Sequence, residues 1–174
     1  MSIRARNLTE TMCLMIRNYI QANIQAALLE VYTENGPPIH AESLRVPQDY
    51  FFYPEAEVYN APAVLIIPNL IDFRKDQMGA NFVDAKQQIQ VGVINEARTR
   101  EILTYQTWRY LSAMHKVLDQ NRLTSSDASV VCTVVVTRAS YSGIDKRQNM
   151  QDNVFRQEVV LSCDVFHWEQ GGGN

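Results

Sequence analysis

Residues 63–67, Ala63-Val64-Leu65-Ile66-Ile67, form a compact apolar run held between Pro62 and Pro68, and residues 85–93, Ala85-Lys86-Gln87-Gln88-Ile89-Gln90-Val91-Gly92-Val93, alternate along their length. A short, unbroken apolar run bounded by turn residues reads as a strand buried on both faces. Alternation with a period of two reads as a strand with one wet face, here Lys86, Gln88, Gln90 and Gly92, opposite Ala85, Gln87, Ile89, Val91 and Val93. Between them, residues 69–83 hold Asp72-Phe73-Arg74-Lys75-Asp76-Gln77-Met78-Gly79 and read as a polar, charged loop. The pair therefore predicts an antiparallel hairpin and sets the chain among sheet-containing folds.

Upstream of this hairpin, residues 37–60 carry Pro37, Pro38, Pro47 and Pro54 together with the cluster Tyr50-Phe51-Phe52-Tyr53. Proline cannot donate to a central ladder, so this segment reads as an extended arm ending in a short, edge-like strand. Before the arm, Leu8, Met12, Met15, Ile16, Tyr19, Ile20, Ile24, Ala27, Leu28, Val31 and Tyr32 lie at helical spacing. Asn7 followed by Glu10 reads as an N-cap with its capping-box partner, and Asn35-Gly36-Pro37-Pro38 ends the helix. Downstream of the hairpin, Leu103, Tyr110, Leu111, Met114, Val117 and Leu118 predict a second helix over residues 99–121, capped by Thr99. A polar stretch from Asp119 to Asp127 follows it. Val130 to Ser140 is rich in β-branched residues and reads as a strand. Tyr141 to Asn153 reads as a second polar loop, and Val154 to Trp168 as a closing strand.

The order is helix, arm, two strands, helix, two strands. Two antiparallel pairs with both helices on one face give an α+β two-layer sandwich with a mostly antiparallel sheet. With 174 residues, 46% of them hydrophobic and 20% charged, the chain suits a single globular domain over residues 1–170, able to bury a core without disulfide or metal. Gly171-Gly172-Gly173-Asn174 reads as a flexible tail. No apolar run approaches the length of a bilayer span, and the opening MSIRARNLTE lacks the apolar stretch of a secretory signal, so no membrane association is expected. A net charge of −3 without a lysine and arginine stripe lacks the footprint of a nucleic-acid binder. Cys13, Cys132 and Cys163, each inside an apolar stretch, read as free buried thiols.

The common catalytic constellations are absent or have a simpler structural reading. Cys163 and His167, four apart on a strand, lie about 13 Å from one another, too far to share a metal ion. No G-x-S-x-G elbow or phosphate-cradling glycine loop is present. Asp145 and Asp152 stand in a loop with Lys146 and Arg147, which reads as a solvated, mixed-charge segment. Trp108, Arg109 and Tyr110 do not share one helix face, so they form no stacking platform. The expectation is a non-enzymatic chain with no cofactor and no metal. Two long polar loops in an otherwise economical domain suit a protein that works by contact. The Tyr50-Phe51-Phe52-Tyr53 arm either folds back on the core or docks on a neighbour.

This order, with its "PAVLIIP" strand, "QQIQVGVIN" strand, central helix and two closing strands split by a charged loop, resembles the tail-terminator (tail-completion) proteins of long-tailed bacteriophages. The likeness runs from Leu8 to Trp168. It implies a virion protein of the tail or neck, assembled in the host cytoplasm, that closes into a homo-oligomeric ring, commonly of about six copies. Such a ring caps the tail tube, stops its growth, and offers a docking surface to a neck or head-completion protein, with sheath a further partner in a contractile tail. DNA passes through without specific binding, which an acidic balance suits. The expected contact residues are Asp145, Lys146, Arg147 and Gln148 toward the lumen or a neighbouring ring. Arg74, Lys75 and Asp76 are expected to face an adjacent subunit or the tube, and Tyr50, Phe51, Phe52 and Tyr53 to lie on the arm. Another neck component, such as a head-completion, stopper or connector protein, is the alternative.

Overall fold

The computed structural model describes residues 5–36, 44–52, 60–73, 85–126, 130–147 and 154–168. Helix α1 spans Ala5–Asn35. Its stripe of Leu8, Met12, Ile16, Ile20, Ile24, Leu28 and Val31 is buried, as the helical spacing requires. Gly36 follows at φ 73, the left-handed turn that only glycine takes without strain. The helix begins earlier than the sequence suggests: Asn7 is already helical and is not its N-cap. Ala5 and Arg6 ahead of it are good helix formers and carry the first turn past the capping signal.

Helix α2 spans Arg100–Leu118. Thr99 caps it as expected, its hydroxyl accepting the Ile102 N–H at 3.2 Å. The helix closes at Leu118, short of Asn121, because Asn121 folds back and its side-chain amide donates to the Val117 carbonyl at 2.8 Å. Its buried stripe, Leu103, Thr107, Tyr110, Met114 and Leu118, packs against α1 and the sheet.

The strands are β1 (Asp49–Phe51), β2 (Ala63–Phe73), β3 (Ala85–Ala97), β4 (Arg122–Thr124), β5 (Val131–Tyr141), β6 (Asp145–Arg147) and β7 (Val154–Trp168). They form one sheet in the order β1-β2-β3-β7-β5-β4, with β6 also paired to β7. All pairs are antiparallel except β1 with β2. The α+β architecture with a mostly antiparallel sheet is thus the one the periodicity predicts. Val64 and Ile66 of β2, Ile89, Val91 and Val93 of β3, Val159, Leu161, Cys163 and Val165 of β7, and Cys132 and Val134 of β5 meet the helices in one continuous core.

Four sequence expectations are corrected here. Residues 69–73 are not loop but the end of β2, which passes Pro68 by a bulge: the three steps from Pro68 to Ile71 match only two on β3, from Ile89 to Gln87. The stretch from Asp119 to Asp127 contains β4, and the loop from Tyr141 to Asn153 contains β6. Strands of three residues show no readable period, and their pairing comes from the long neighbour beside them. The wet face of β3 holds for Lys86, Gln88 and Gln90 but is lost from Gly92 to Asn95, all buried. There the Glu158 carboxyl lies across Gly92, so close that a Cβ at residue 92 would stand 2.7 Å from its Oε1.

Candidate interaction surfaces

The sheet has two long edges, and among the described residues each is covered by a strand over only 3 of its 11 residues. On one side β1 pairs with β2 from Ala63 to Leu65, leaving β2 from Ile66 to Phe73 without a strand partner on its outer side among the described residues. On the other, β4 pairs with β5 from Val131 to Thr133. The next two amides on that edge are satisfied from the end of α2, Val134 N–H by the Asn121 carbonyl and Val136 N–H by the Asp119 carboxylate. Beyond them, Thr137 to Tyr141 has no strand partner on its outer side. Unpaired edges of this length are templates for pairing with another chain unless they are protected.

Both free stretches carry exposed apolar and charged side chains. Leu70 is 53% exposed on the β2 edge and Tyr141 is 45% exposed on the β5 edge. Asp72 is exposed on the first edge and Arg138 on the second. The β2 bulge that carries Leu70 is pinned from the core. Gln87, 1% exposed, donates its amide to the Leu70 carbonyl at 3.3 Å. Its Oε1 accepts the Thr9 hydroxyl of α1 at 2.8 Å. A buried amide with both ends engaged fixes the strand's phase at that point.

Beside the β2 edge, on the helix-covered side, lies an apolar cleft of about 480 Å³ lined by Thr9, Glu10, Cys13, Leu14, Phe52 and Pro68. Phe52 sits at its mouth with the Arg17 guanidinium 5.7 Å from its ring centre. At the far end of α2 a polar hollow of about 490 Å³ is bordered by Arg45, Arg98, Gln106 and Tyr110. The Tyr110 hydroxyl donates to the Arg45 carbonyl there at 2.8 Å.

The expected contact residues divide. Asp145, Lys146 and Arg147 do not project from a loop; they form β6, paired with Arg156, Phe155 and Val154, and the neighbouring Gln148 lies outside the described residues. Arg74, Lys75, Asp76 and Tyr53 also lie outside them, as does the tail from Gly171 to Asn174. The arm folds back in part. Tyr50 packs on the core, where burial raises its hydroxyl pKa, and that hydroxyl has no hydrogen-bond partner among the described residues. Phe51 is half-buried on β1, while Phe52 stays at the surface. Leu70, Asp72, Arg138 and Tyr141 were not expected. A trace of them existed in the apolar Leu70, Ile71 and Phe73 that follow Pro68-Asn69.

Titratable groups inside the domain do structural work. Burial pushes the thiol of Cys13 up to about 11 and those of Cys132 and Cys163 up to about 12. Asp119 and Asp164 reinforce the rise at Cys163. His167, 4% exposed, places Nδ1 3.1 Å from the Val131 carbonyl. Lys86 and Asp164 pair at 2.7 Å on the sheet face away from the helices. Among the described residues no three His, Cys, Asp or Glu side chains converge to hold a metal ion. No described helix is long and apolar enough to cross a membrane.

No family model matches the chain, and no curated protein matches it. Among solved structures, the chain is similar in fold to a chain of the virion of native gene transfer agent (GTA) particle. The two are 15% identical, with a TM-score of 0.42, and the match covers 87% of this chain and 97% of that one.

Proposed function

We propose that the chain is a non-enzymatic structural subunit of a phage-type virion, which closes into a ring on the finished tail tube, ends its growth and receives the neck. The observation that carries this reading is the pair of free strand edges on opposite sides of one sheet. A subunit with two different, non-self-matching edges associates head-to-tail, and head-to-tail contacts close into rings when the rotation per subunit divides the circle. The element order supports the same reading, since it retains the helix, arm, hairpin, helix and closing strands on which the resemblance to tail terminators rests. In such a ring, one face matches the tube end and the other differs from it, so no further tube subunit adds. The partners are then copies of the same chain, the tail-tube protein and a neck protein, with DNA passing through the lumen.

Native mass measurement and negative-stain imaging of the concentrated protein, with and without isolated tail tubes, test this. Rings of about six copies, or caps on tube ends, support the reading. Rings that bind a portal and ignore tubes move the protein to another neck position. A monomer indifferent to itself and to tubes refutes it.

A further inference from the structure

We propose that copies join by continuing the sheet, the free stretch of β2 pairing with the free end of β5 in the next copy, Pro68 opposite Tyr141 and Asp72 opposite Arg138. The inference rests on the self-association proposed above and names the surfaces that perform it.

Strand direction comes first. The sheet alternates from β2 through β3 and β7 to β5, every step antiparallel. Across these three reversals β5 runs opposite to β2. A second copy added without turning over therefore sets its β2 antiparallel to the first copy's β5, and the alternation is kept. The helix-covered faces of the two copies also stay on the same side.

Side-chain phase then selects the register. Pro68 and Ile71 lie opposite Ile89 and Gln87, on the helix-covered face, and the bulge between them places Asp72 on the open face. On β5, Tyr141 and Ala139 lie opposite Val159 and Leu161, again on the helix-covered face, while Arg138 lies opposite Ser162 on the open one. Counting the bulge as one level, Pro68 against Tyr141 brings Ile71 to Ala139 and Asp72 to Arg138, each pair on its own common face. A slip of one residue sets every side chain against the wrong face. With the β5 bulge between Val136 and Arg138 also counted as one level, slipping so that Ile66 meets Tyr141 carries Ile71 to Val136, whose N–H is already taken by the Asp119 carboxylate, and Asp72 to Val135 beside it. That register sets two acids together and costs the Arg138 pairing.

The apolar surfaces agree with this register. Tyr141 projects on the helix side at the end of its strand, and the cleft lined by Leu14, Phe52 and Pro68 opens on the helix side of β2. Joining Pro68 to Tyr141 seats the exposed ring of one copy at the mouth of the cleft in the next. An aromatic anchor in an apolar cleft, beside an opposite-charge pair and a run of main-chain bonds, is the composition of a specific strand-addition joint.

Arg138→Asp and Asp72→Arg are made singly and together, and ring formation is followed by native mass and sedimentation. Both side chains are exposed, so folding of each variant is verified by circular dichroism and a thermal melt. Each single reversal is expected to weaken assembly at least about tenfold, and the double swap to restore it. As a register test, Asp72→Cys with Arg138→Cys is expected to give a ladder of covalent multimers on oxidation, because the native cysteines are buried. Wild-type rings with assembly unchanged in both single variants, or a folded double-cysteine protein that stays monomeric on oxidising gels, overturn this joint and leave the ring itself standing. A wild type that never self-associates overturns both.

Discussion

Replacing Gln87 by leucine tests whether the core dictates the shape of the free β2 edge. The side chain is 1% exposed and makes two bonds, accepting from Thr9 at 2.8 Å and donating to the Leu70 carbonyl at 3.3 Å. A neutral hydrogen bond contributes roughly 0.5–1.5 kcal/mol net, and the longer of these two belongs at the weak end. Leucine of similar volume recovers part of the loss through apolar burial. Thr9 is partly exposed and its hydroxyl can turn to water. The expected destabilisation is therefore modest, about 1 kcal/mol, or a fall of roughly 2–4 °C in Tm for a chain of this size. Thr9→Val should cost about half as much, and the double variant should be less destabilised than the sum by about 0.5 kcal/mol, because each single change already breaks the shared bond.

The decisive reading is local. Loss of the anchor should speed amide exchange at Leu70, Ile71 and Asp72 while leaving β7 unchanged, and should weaken ring assembly by more than the global stability loss accounts for. Urea titration supplies the first measurement and hydrogen exchange the second. Gln87→Leu with wild-type exchange across the bulge would falsify the idea that this amide sets the edge.

Three further outcomes follow from other parts of the structure. Thr99→Ala should cost α2 about 0.5–2 kcal/mol by stranding the Ile102 N–H, measured as a shift in urea midpoint at constant slope. The three thiols should resist a disulfide reagent at pH 8 in the native protein, since burial holds each above its ordinary pKa, with Cys13 on the cleft reacting first and all three reacting in denaturant. Burial raises the Glu158 carboxyl, with Arg156 opposing, so the folded state holds that proton more tightly than the unfolded chain. Its contribution is thus present at low pH and lost as pH rises through the folded pKa. Glu158→Gln should stabilise the protein at pH 7, with the difference fading below roughly pH 4.3, the ordinary value for glutamate.

Much of this architecture is legible in the sequence because its long elements obey a single period each. The α1 stripe, the Thr99 cap and the closing strand from Val154 to Trp168 lie where spacing and punctuation place them. What escapes is of two physical kinds. Strands β4 and β6 are too short to show a period and exist because β5 and β7 offer them a ladder. The end of β2 is hidden because Pro68-Asn69 has the chemistry of a stop, and the strand survives it only by the bulge. The surfaces are harder still to read. Nothing in the local pattern of Leu70, Asp72, Arg138 or Tyr141 tells an edge strand from a central one, since edge position depends on what pairs alongside. The sequence of the aromatic arm leaves two outcomes open, and the structure divides it, Tyr50 turned inward and Phe52 left at the surface.

The bulge joins these two problems. Were the same residues paired in strict alternation from Pro68 with no bulge, Ile71 would turn to the open face and Asp72 toward the helices, burying a carboxylate at a cost of several kcal/mol. Folding alone therefore selects the bulged strand, because Ile71 packs beside the core and Gln87 engages the Leu70 carbonyl. The same choice puts Asp72 on the open face of a free edge, the face on which Arg138 stands at the opposite edge. The charge available for joining copies is then positioned by interior packing and not by a flexible loop. Substitutions in the core near Gln87 should for that reason disturb assembly before they unfold the subunit. Substitutions at Arg74, Lys75, Asp76 or Lys146, which the sequence marks as contact residues, should disturb it less.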